Sequence, residues 1–268
     1  MKPVLKLLRS RGFLSSIYLD DLFLIGETYS ECLTNLKTSE KLLTALGFII
    51  NKEKSSCIPK TTCKYLGYIL DSCKWQVSWP LEKRIRIKRE LEKNKLLSRC
   101  KMRRFAQLLG LLISACPAIE YGWLFTKNLE RTNFLSLQGH NNYDPYMDIP
   151  DSLIPDLDWR TNAIVNCVHK IKDDHFVAEI FSDASTTGWG AACEGQTASG
   201  RWSQSETTLH INHLELLAAF FALKIFAKEY HDCEILMRID NTTAEAYINR
   251  MGGIQYPHLT QVTRDLWQ

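Results

Sequence analysis

The amino-acid sequence predicts a protein of mixed α+β and α/β class that is built from more than one domain. Short apolar segments separated by turn residues predict antiparallel strands in the first 80 residues. Pro80 opens a predicted helical region that extends to about Glu130, with breaks near Arg99 and at Pro117. Residues 175–268 then alternate between strand and helix. With 268 residues, the chain is long enough for two domains that each bury a core.

The first predicted strand pair carries two adjacent carboxylates. Residues 17–23 read Ile-Tyr-Leu-Asp-Asp-Leu-Phe, which predicts a strand, a tight turn and a second strand, with Asp20 and Asp21 at the tip. Two carboxylates held this close repel each other at neutral pH, and a bound divalent cation would offset the repulsion. An exposed Asp-Asp turn without a ligand is the alternative interpretation.

The other elements of the N-terminal third are predicted from the residues at their ends. Residues 2–11 form an amphipathic helix that ends at Gly12, and residues 29–46 form a helix that ends at Gly47. Residues 48–50 are a predicted short strand. Residues 65–70 and 74–79 are predicted to pair as a second hairpin around Asp71 and Ser72, with Gly67 leaving room for a close backbone contact.

Two predicted strands in the C-terminal third each end in an aspartate. Residues 177–183 end at Asp183, and residues 233–240 end at Asp240, after which Asn241 caps a further helix. Glu215 belongs to a predicted helix between them, at residues 210–231, and lies one step off its apolar stripe, beside the sheet rather than inside the core. The stripe consists of Leu214, Leu217, Ala218, Phe221 and Ile225.

This order of elements predicts a cluster of three carboxylates. Sites in α/β folds commonly lie at the carboxyl ends of strands, so Asp183, Glu215 and Asp240 are expected to converge at one end of the sheet. Taken alone, Asp183 and Asp240 are more simply interpreted as strand-end residues that start turns, and Glu215 as a solvated charge on a helix. The three together favour a site for divalent metal ions, with Asp183 and Asp240 at the ends of adjacent parallel strands.

The net charge of +3 is unevenly distributed along the chain. Residues 81–104 contain eleven Lys or Arg against three Glu, whereas residues 175–268 contain six basic and eleven acidic residues. A basic segment beside an acidic module suits a protein that binds phosphate backbones with one part and cations with the other. A solvated helix face is the alternative interpretation of the basic segment.

The nine cysteines indicate a reducing compartment. They are scattered and form no Cys-x-x-Cys pair, so free thiols are expected rather than a zinc site or a disulfide framework. The N-terminal apolar run is interrupted by Lys6 and is too short for a signal peptide. No stretch approaches the ~20 apolar residues that span a bilayer. We therefore expect an intracellular protein, cytoplasmic or nuclear, without a membrane partner.

Several of these motifs resemble those of reverse transcriptases and of the ribonuclease H domain that follows them in retroelements. Residues 18–21, Tyr-Leu-Asp-Asp, resemble the reverse transcriptase palm signature, and Tyr-Leu-Gly-Tyr at 65–68 resembles the primer-grip hairpin. Asp-Ala-Ser-x-x-Gly-Trp-Gly from residue 183 and Asp-Asn at 240–241 resemble ribonuclease H motifs. The chain is most similar to the pol region of retroelements of the tyrosine-recombinase (DIRS) type, and more distantly to gypsy-type elements.

The resemblance implies a domain order. Residues 1–80 would be a partial polymerase palm with the primer-grip hairpin, and residues 81–137 a helical thumb and connection. Residues 138–174 would be a linker and helix, starting in a segment rich in Asn, Asp, Pro and Gly. Residues 175–268 would be a C-terminally truncated ribonuclease H-like domain.

The resemblance also implies a role for each site residue. With Mg²⁺ or Mn²⁺ as the cofactor, Asp20 and Asp21 would serve nucleotide addition, and Asp183, Glu215 and Asp240 would serve hydrolysis of RNA in an RNA·DNA hybrid. The residues expected to contact the hybrid or a primer–template duplex are Tyr18, Leu66, Gly67, Tyr68, Arg84, Lys88, Arg103 and Arg104.

The sequence departs from the family pattern in two respects. Reverse transcriptases need a further palm aspartate and a fingers region, and the ribonuclease H fold needs a fourth acidic residue in its last portion; none of these is expected within the 268 residues. We therefore expect no primer extension by this chain, and RNA cleavage is the weaker expectation. Two functions stay open: part of a reverse transcriptase–ribonuclease H enzyme, or a non-catalytic nucleic-acid-binding remnant. The sequence does not determine the oligomeric state.

Overall fold

The computed structural model describes residues 2–172 and 175–268, and the chain divides into two compact units, Met1–Trp75 and Gln76–Gln268. The predicted mixed class of helices and sheets is confirmed. The predicted segment 1–80 nearly coincides with the first unit, whereas the segments 81–137, 138–174 and 175–268 all fall within the second. Met1 and residues 173 and 174 of the predicted linker lie outside the described residues. The predicted division into four segments, with the domain assigned to each, stays a prediction.

The first unit is built from two helices and two strand pairs in its described part. Asn35 is buried, and its Nδ2 donates to the carbonyl oxygens of Leu14 at 2.8 Å and Ile25 at 3.0 Å, which ties the open end of the first hairpin to the second helix. Thr28 and Glu31 start that helix with a reciprocal capping box. In chain order the elements are α1 (Lys2–Ser10), β1 (Ser15–Tyr18), β2 (Asp21–Leu24), α2 (Tyr29–Ala45), β3 (Thr62–Tyr65) and β4 (Tyr68–Asp71).

One turn in this unit was not predicted, and one predicted strand is absent. The antiparallel β3–β4 ladder turns at Leu66 and Gly67, where Tyr65 pairs with Tyr68. Both turn residues have positive φ, 48° and 82°, the geometry that two-residue hairpin loops favour. Residues 48–50 form no strand, because an apolar run becomes a strand only where another strand pairs with its backbone.

The second unit combines helices with three groups of strands. β5 pairs antiparallel with β8, and β6 pairs antiparallel with β7, so the predicted helix break near Arg99 is in fact a short strand. The elements, in chain order, are β5 (Gln76–Ser78), α3 (Leu81–Lys95), β6 (Arg99–Lys101), α4 (Met102–Ala115), α5 (Lys127–Leu137), β7 (Tyr146–Asp148), α6 (Ile154–Ala163), β8 (Val168–Lys170), β9 (Phe176–Ala184), β10 (Gly188–Cys193), β11 (Gln196–Arg201), α7 (Ile211–Phe226), β12 (Glu234–Arg238), α8 (Thr242–Asn249) and α9 (Pro257–Trp267). None of the helices in the described residues is long and apolar enough to cross a membrane.

The third group of strands is a four-stranded sheet in the order β11–β10–β9–β12. The pairs β9–β10 and β10–β11 are antiparallel, and β9–β12 is parallel, as predicted for the two strands that lead to Asp183 and Asp240. A Cβ added to Gly188 would lie 2.5 Å from the carbonyl oxygen of Gly200, so the close approach of β10 and β11 requires glycine there.

α7 is buried on two sides rather than along one stripe. Ala222 packs in a core with the sheet residues Ala178 and Ile180, whereas Leu216 and Ala219 pack in a second core with α8 and α9. The predicted stripe is therefore only partly correct: Leu214 and Ala218 are fully buried, but Ile225 is 49% exposed. A single amphipathic stripe underestimates the burial of a helix that is covered on two sides, here by the sheet and by the helices α8 and α9.

Two arginines tie the helices α5 and α6 to the C-terminal part of the second unit. The Nη2 of Arg264 in α9 lies 2.9 Å from the Oδ1 of Asp156 in α6, and Asp156 is only 1% exposed. Asn128 in α5 donates to the other oxygen of Asp156 at 2.9 Å. Arg131, also in α5, donates to the carbonyl oxygens of residues 254 and 255 just before α9. These contacts explain why residues 76–268 form one compact unit.

We predict that Arg264→Ala destabilises the chain strongly. The substitution leaves the buried carboxylate of Asp156 without its cation, and breaking a buried ion pair in this way costs about 3–5 kcal/mol. Urea unfolding at pH 7 measures the free energy of unfolding. Lys93→Ala is the control, because Lys93 and Glu90 form an exposed pair worth less than about 1 kcal/mol. Equal losses in the two variants would contradict the prediction.

Candidate metal centre

Asp183, Glu215 and Asp240 converge as predicted. Each offers a carboxylate oxygen, and the three oxygens lie within 4.8 Å of one another. Asp183 comes from the end of β9, Asp240 follows the parallel strand β12, and Glu215 comes from the second turn of α7. In the described residues, this is the one group of three or more His, Cys, Asp or Glu side chains with such spacing.

The sequence placed Glu215 beside the sheet, but the structure places it in the interior. Its side chain is 4% exposed, whereas Asp183 and Asp240 are exposed. Its Oε2 is buried and has no hydrogen-bond partner among the described residues. Burial, followed by the charges of Asp183 and Asp240, raises the pKa of Glu215 to about 7, and the backbone amide of Ala184 opposes this rise. A buried carboxylate that has an oxygen without a donor and lies close to two other carboxylates is the arrangement that a divalent cation stabilises.

A local hydrogen bond holds the carboxylate of Asp183, and a helix cap directly follows Asp240. The amide of Ala184 donates to the Oδ1 of Asp183 at 2.8 Å. Asp240 directly precedes Asn241, whose side chain caps α8 by accepting from the amides of Thr243 at 3.0 Å and Ala244 at 2.9 Å. The cap that the sequence predicted at Asn241 is confirmed.

Asn212 is a site residue that the sequence analysis missed. It lies one helical turn before Glu215 on α7, and its Oδ1 accepts from the Nδ2 of Asn241 at 3.0 Å. The i, i+3 spacing to Glu215 is the signal by which it could have been found, because residues so spaced share a helix face. Asn212 thus lies on the face of α7 that carries Glu215, and its bonded partner Asn241 directly follows Asp240.

A groove adjoins the two exposed aspartates. It has a volume of about 660 Å³ and runs across β9, β10, β11 and β12, with Asp183 and Asp240 in its lining. Phe181 and Arg238 also line it, and Arg238 is engaged in an ion pair with Glu179 at 2.6 Å. The acidic cluster is therefore open to solvent on the side of its aspartates and closed on the side of Glu215.

The first predicted carboxylate pair lies at the hairpin tip as expected. Asp20 is in the two-residue turn and Asp21 begins β2, opposite Tyr18. Both aspartates are exposed, and in the described residues no third His, Cys, Asp or Glu joins them within metal-binding spacing. The ring of Tyr65 stacks on Phe23 with centroids 4.8 Å apart, and its hydroxyl lies 3.4 Å from the carbonyl oxygen of Asp21. The β3–β4 hairpin thereby supports the strand that carries Asp21.

The residues predicted to contact a primer lie at two hairpin turns of the first unit. Tyr18 is 58% exposed and Leu66 is 44% exposed, whereas Gly67 and Tyr68 are half-buried. The structure holds Leu66 and Gly67 in the turn itself, so a ligand would meet a rigid loop there. Their roles in binding stay predictions.

The four basic residues predicted to bind phosphates differ in their surroundings. Arg84 is half-buried, with its Nη1 donating to the carbonyl oxygen of Val165 at 3.0 Å, so it holds α3 in place. Arg103 pairs with Asp144 at 3.1 Å on the surface. Lys88 and Arg104 are exposed and make no ion pair with any described residue. Only the last two present an uncompensated charge to solvent.

Comparisons with known proteins agree with this arrangement of elements. Residues 1–70 match the family model of the reverse transcriptases (RNA-dependent DNA polymerases). No curated protein matches the chain. Three solved structures of a foamy viral protease–reverse transcriptase are similar to it in fold. The form named dRH, in complex with double-stranded DNA, has 17% sequence identity to this chain and a TM-score of 0.50. The complex with RNA/DNA hybrid has 18% sequence identity and a TM-score of 0.51. A second complex with double-stranded DNA has 18% sequence identity and a TM-score of 0.50.

The similarity covers almost all of this chain but a smaller share of the viral proteins. It includes 98%, 99% and 96% of this chain, and 45%, 36% and 56% of the three viral chains, respectively. The chain therefore spans about half the length, or less, of the solved proteins that it resembles. At this level of identity the similarity establishes the fold, and it confirms the predicted fold class.

We predict that the metal-free protein loses stability as pH rises from about 4.5 to about 7. Because the pKa of Glu215 is raised on folding, the folded chain holds more protons in this window than the unfolded chain, and the free energy of unfolding falls with pH. The full shift corresponds to roughly 3 kcal/mol before solvent screening at the mouth of the site, which reduces it.

Urea unfolding in EDTA at pH 5 and pH 8 measures this effect. Glu215→Gln removes the titrating group, so its stability relative to the parent should rise between the two pH values. A stability difference between parent and variant that stays constant from pH 5 to pH 8 would contradict the assignment of this pKa to Glu215.

Proposed function

We propose that the second unit carries a metal-dependent phosphodiester hydrolase site of the ribonuclease H type, which acts on the RNA strand of an RNA·DNA hybrid. One observation carries the proposal: the buried Oε2 of Glu215 has no hydrogen-bond partner among the described residues, and a carboxylate oxygen of Glu215 lies within 4.8 Å of oxygens of two exposed aspartates. A cluster that served only structure would supply donors to this oxygen, because an unsatisfied buried acceptor costs about 1–3 kcal/mol.

The three carboxylates fit a hard divalent cation. Mg²⁺ and Mn²⁺ prefer oxygen ligands, and Asp183, Glu215 and Asp240 supply only oxygens. Ions bound there would supply positive charge against the negative charge that develops on a phosphodiester during hydrolysis. We therefore propose Mg²⁺ or Mn²⁺ as the cofactor, with these three residues as its ligands.

The protein supplies a rigid position and a one-sided opening. Glu215 is fixed by its burial between the sheet and the helices α8 and α9, while the amide of Ala184 orients Asp183. The exposed sides of Asp183 and Asp240 border the groove, where a nucleic-acid strand can approach. This arrangement allows the substrate to reach the site without exposing Glu215 to bulk water.

The choice of an RNA·DNA hybrid rests on the motif resemblance and on the fold. One of the solved structures with the same fold is a complex with an RNA/DNA hybrid. Ribose 2′-hydroxyls are the groups by which a protein distinguishes an RNA strand from a DNA strand. We propose the same substrate class for this chain.

For the first unit we propose the palm of an RNA-directed DNA polymerase. The family match over residues 1–70 contains Asp20 and Asp21, which are the proposed metal ligands for nucleotide addition. Tyr18, Leu66, Gly67 and Tyr68 are proposed to contact a primer–template duplex. A retroelement of the tyrosine-recombinase (DIRS) type is the proposed origin, on the motifs at 18–21, 65–68, 183–190 and 240–241.

A non-catalytic role in nucleic-acid binding is the second candidate. The observation that favours it is the basic surface of α3 and α4, where Lys88 and Arg104 carry charges that no described residue pairs with. Such a surface binds phosphate backbones without any chemistry at the acidic cluster. The two functions differ in their dependence on Asp183, which the next experiment tests.

We predict that Mn²⁺ raises the melting temperature of the parent chain and that Asp183→Asn abolishes this increase. The same substitution should leave the metal-free protein as stable as the parent or slightly more stable, because it removes repulsion among the three carboxylates. Thermal unfolding with and without Mn²⁺ measures both effects. Asp265→Asn is the control, since Asp265 is an exposed aspartate of α9 outside the cluster. No shift in the parent, or an equal shift in Asp183→Asn, would overturn the proposed metal site.

We predict that Lys88 and Arg104 supply part of a sequence-independent affinity for duplex DNA. Each phosphate contact contributes about −0.9 to the slope of log K against log salt, so changing both residues to Ser should flatten the slope by close to two units. Binding measured by fluorescence anisotropy at several salt concentrations gives this slope for the parent and for the variant. Lys37→Ser with Lys41→Ser removes the same charge from exposed positions of α2 and should leave the slope unchanged. Equal slopes for both double variants would assign the basic helix to an ordinary solvated surface.

A further inference from the structure

A chain of side-chain hydrogen bonds runs from the cap of α8 to the helix face that carries Glu215. The amides of Thr243 and Ala244 donate to the side chain of Asn241 at 3.0 and 2.9 Å. The same side chain lies 3.0 Å from that of Asn212 in α7. The backbone of Asn212 is also held, because its amide donates to the Nδ1 of His210 at 3.2 Å.

Hydrogen-bond chemistry fixes the orientation of both carboxamides. A backbone N–H can only donate, so the atom of Asn241 that receives two of them must be its oxygen, and its NH₂ group must be the one that faces Asn212. An NH₂ group can only donate to Asn212, so the atom of Asn212 that faces Asn241 must be its oxygen. The NH₂ group of Asn212 is therefore turned away from Asn241.

This NH₂ group belongs to the helix face that carries Glu215 and has no acceptor in the described part of the chain. Asn212 is half-buried, and no acceptor for its Nδ2 is present among residues 2–172 and 175–268. It lies one turn from Glu215 on the same face of α7, and its partner Asn241 directly follows Asp240. Two N–H donors are thus held one helical turn from Glu215, and the three side chains of the acidic cluster are all carboxylates.

We propose that Asn241 is a positioning residue for this site: it holds the carboxamide of Asn212 so that the NH₂ group donates to an oxygen of the nucleic-acid strand beside the scissile phosphodiester. The inference rests on the proposed function. Asn241 accordingly has two separable tasks, since its oxygen caps α8 while its nitrogen orients Asn212.

The two tasks can be separated by one substitution. Serine is as good a helix cap as asparagine, so Asn241→Ser keeps the cap of α8 but removes the N–H that orients Asn212. Asn212→Ala removes the donor itself. Asn249→Ser is the matched control, because Asn249 is exposed at the other end of α8.

The experiment measures the affinity of the full chain for a short RNA·DNA hybrid and for a DNA duplex of the same sequence, with Ca²⁺ present. Asn241→Ser and Asn212→Ala should each weaken hybrid binding by about 2- to 10-fold, the range of one neutral hydrogen bond. The double variant should be no weaker than Asn212→Ala, because both changes remove the same interaction. Asn249→Ser should bind like the parent. A loss confined to the hybrid identifies a ribose hydroxyl as the acceptor, whereas an equal loss on both duplexes identifies a phosphate oxygen.

Three results would overturn the inference: parent-like hybrid binding by Asn241→Ser, additive losses in the double variant, or no measurable hybrid binding by the parent. The melting temperature and its shift with Mn²⁺ are measured on the same proteins. An intact Mn²⁺ shift together with parent-like binding by Asn241→Ser rejects the positioning role alone. If Mn²⁺ does not raise the melting temperature of the parent chain, the proposed function itself is rejected.

Discussion

The arrangement of the second unit depends on the burial of α7 between the sheet and the helices α8 and α9. Because both sides of this helix are covered, a carboxylate on it becomes an interior group, and Glu215 is 4% exposed. An interior carboxylate resists ionisation, and two further carboxylates nearby increase that resistance. The parallel pairing of β9 with β12 brings Asp183 and Asp240 to the same end of the sheet. The acidic centre is thus a direct consequence of how this one helix is packed.

The same packing explains why the C-terminal module is not separate from the helices before it. α9 covers α7 on one side and, through Arg264, forms the buried ion pair with Asp156 of α6. Arg131 of α5 holds the segment just before α9 through two carbonyl oxygens. Charged groups of this kind are buried only together with their partners, so the position of α9 is coupled to the helices α5 and α6. The position of α9 is also coupled to α7, which carries Glu215, because the two helices pack together. The predicted linker at 138–174 therefore lies within a compact unit.

The first unit shows a related use of one residue to support another. Tyr65 packs on Phe23 and reaches the backbone of Asp21, so the β3–β4 hairpin supports the carboxylate-bearing hairpin. This support depends on the turn at Leu66 and Gly67, since that turn places Tyr65 opposite Tyr68 at the end of the ladder. The motif that resembles a primer grip thus has a structural task in the fold itself.

The sequence by itself determined the class of fold, the strands that end in Asp183 and Asp240, the cap at Asn241 and the hairpin at Asp20 and Asp21. These features follow from local patterns: alternation, helical spacing and turn residues act over a few neighbours along the chain. Only the tertiary structure decided the burial of Glu215, the structural role of Arg84, the turn at residues 66–67 and the orientation of Asn212. Burial depends on what covers a residue from elsewhere in the chain, and a hydrogen bond between Asn212 and Asn241 joins positions 29 residues apart. Such long-range partners leave no periodic signal in a single sequence.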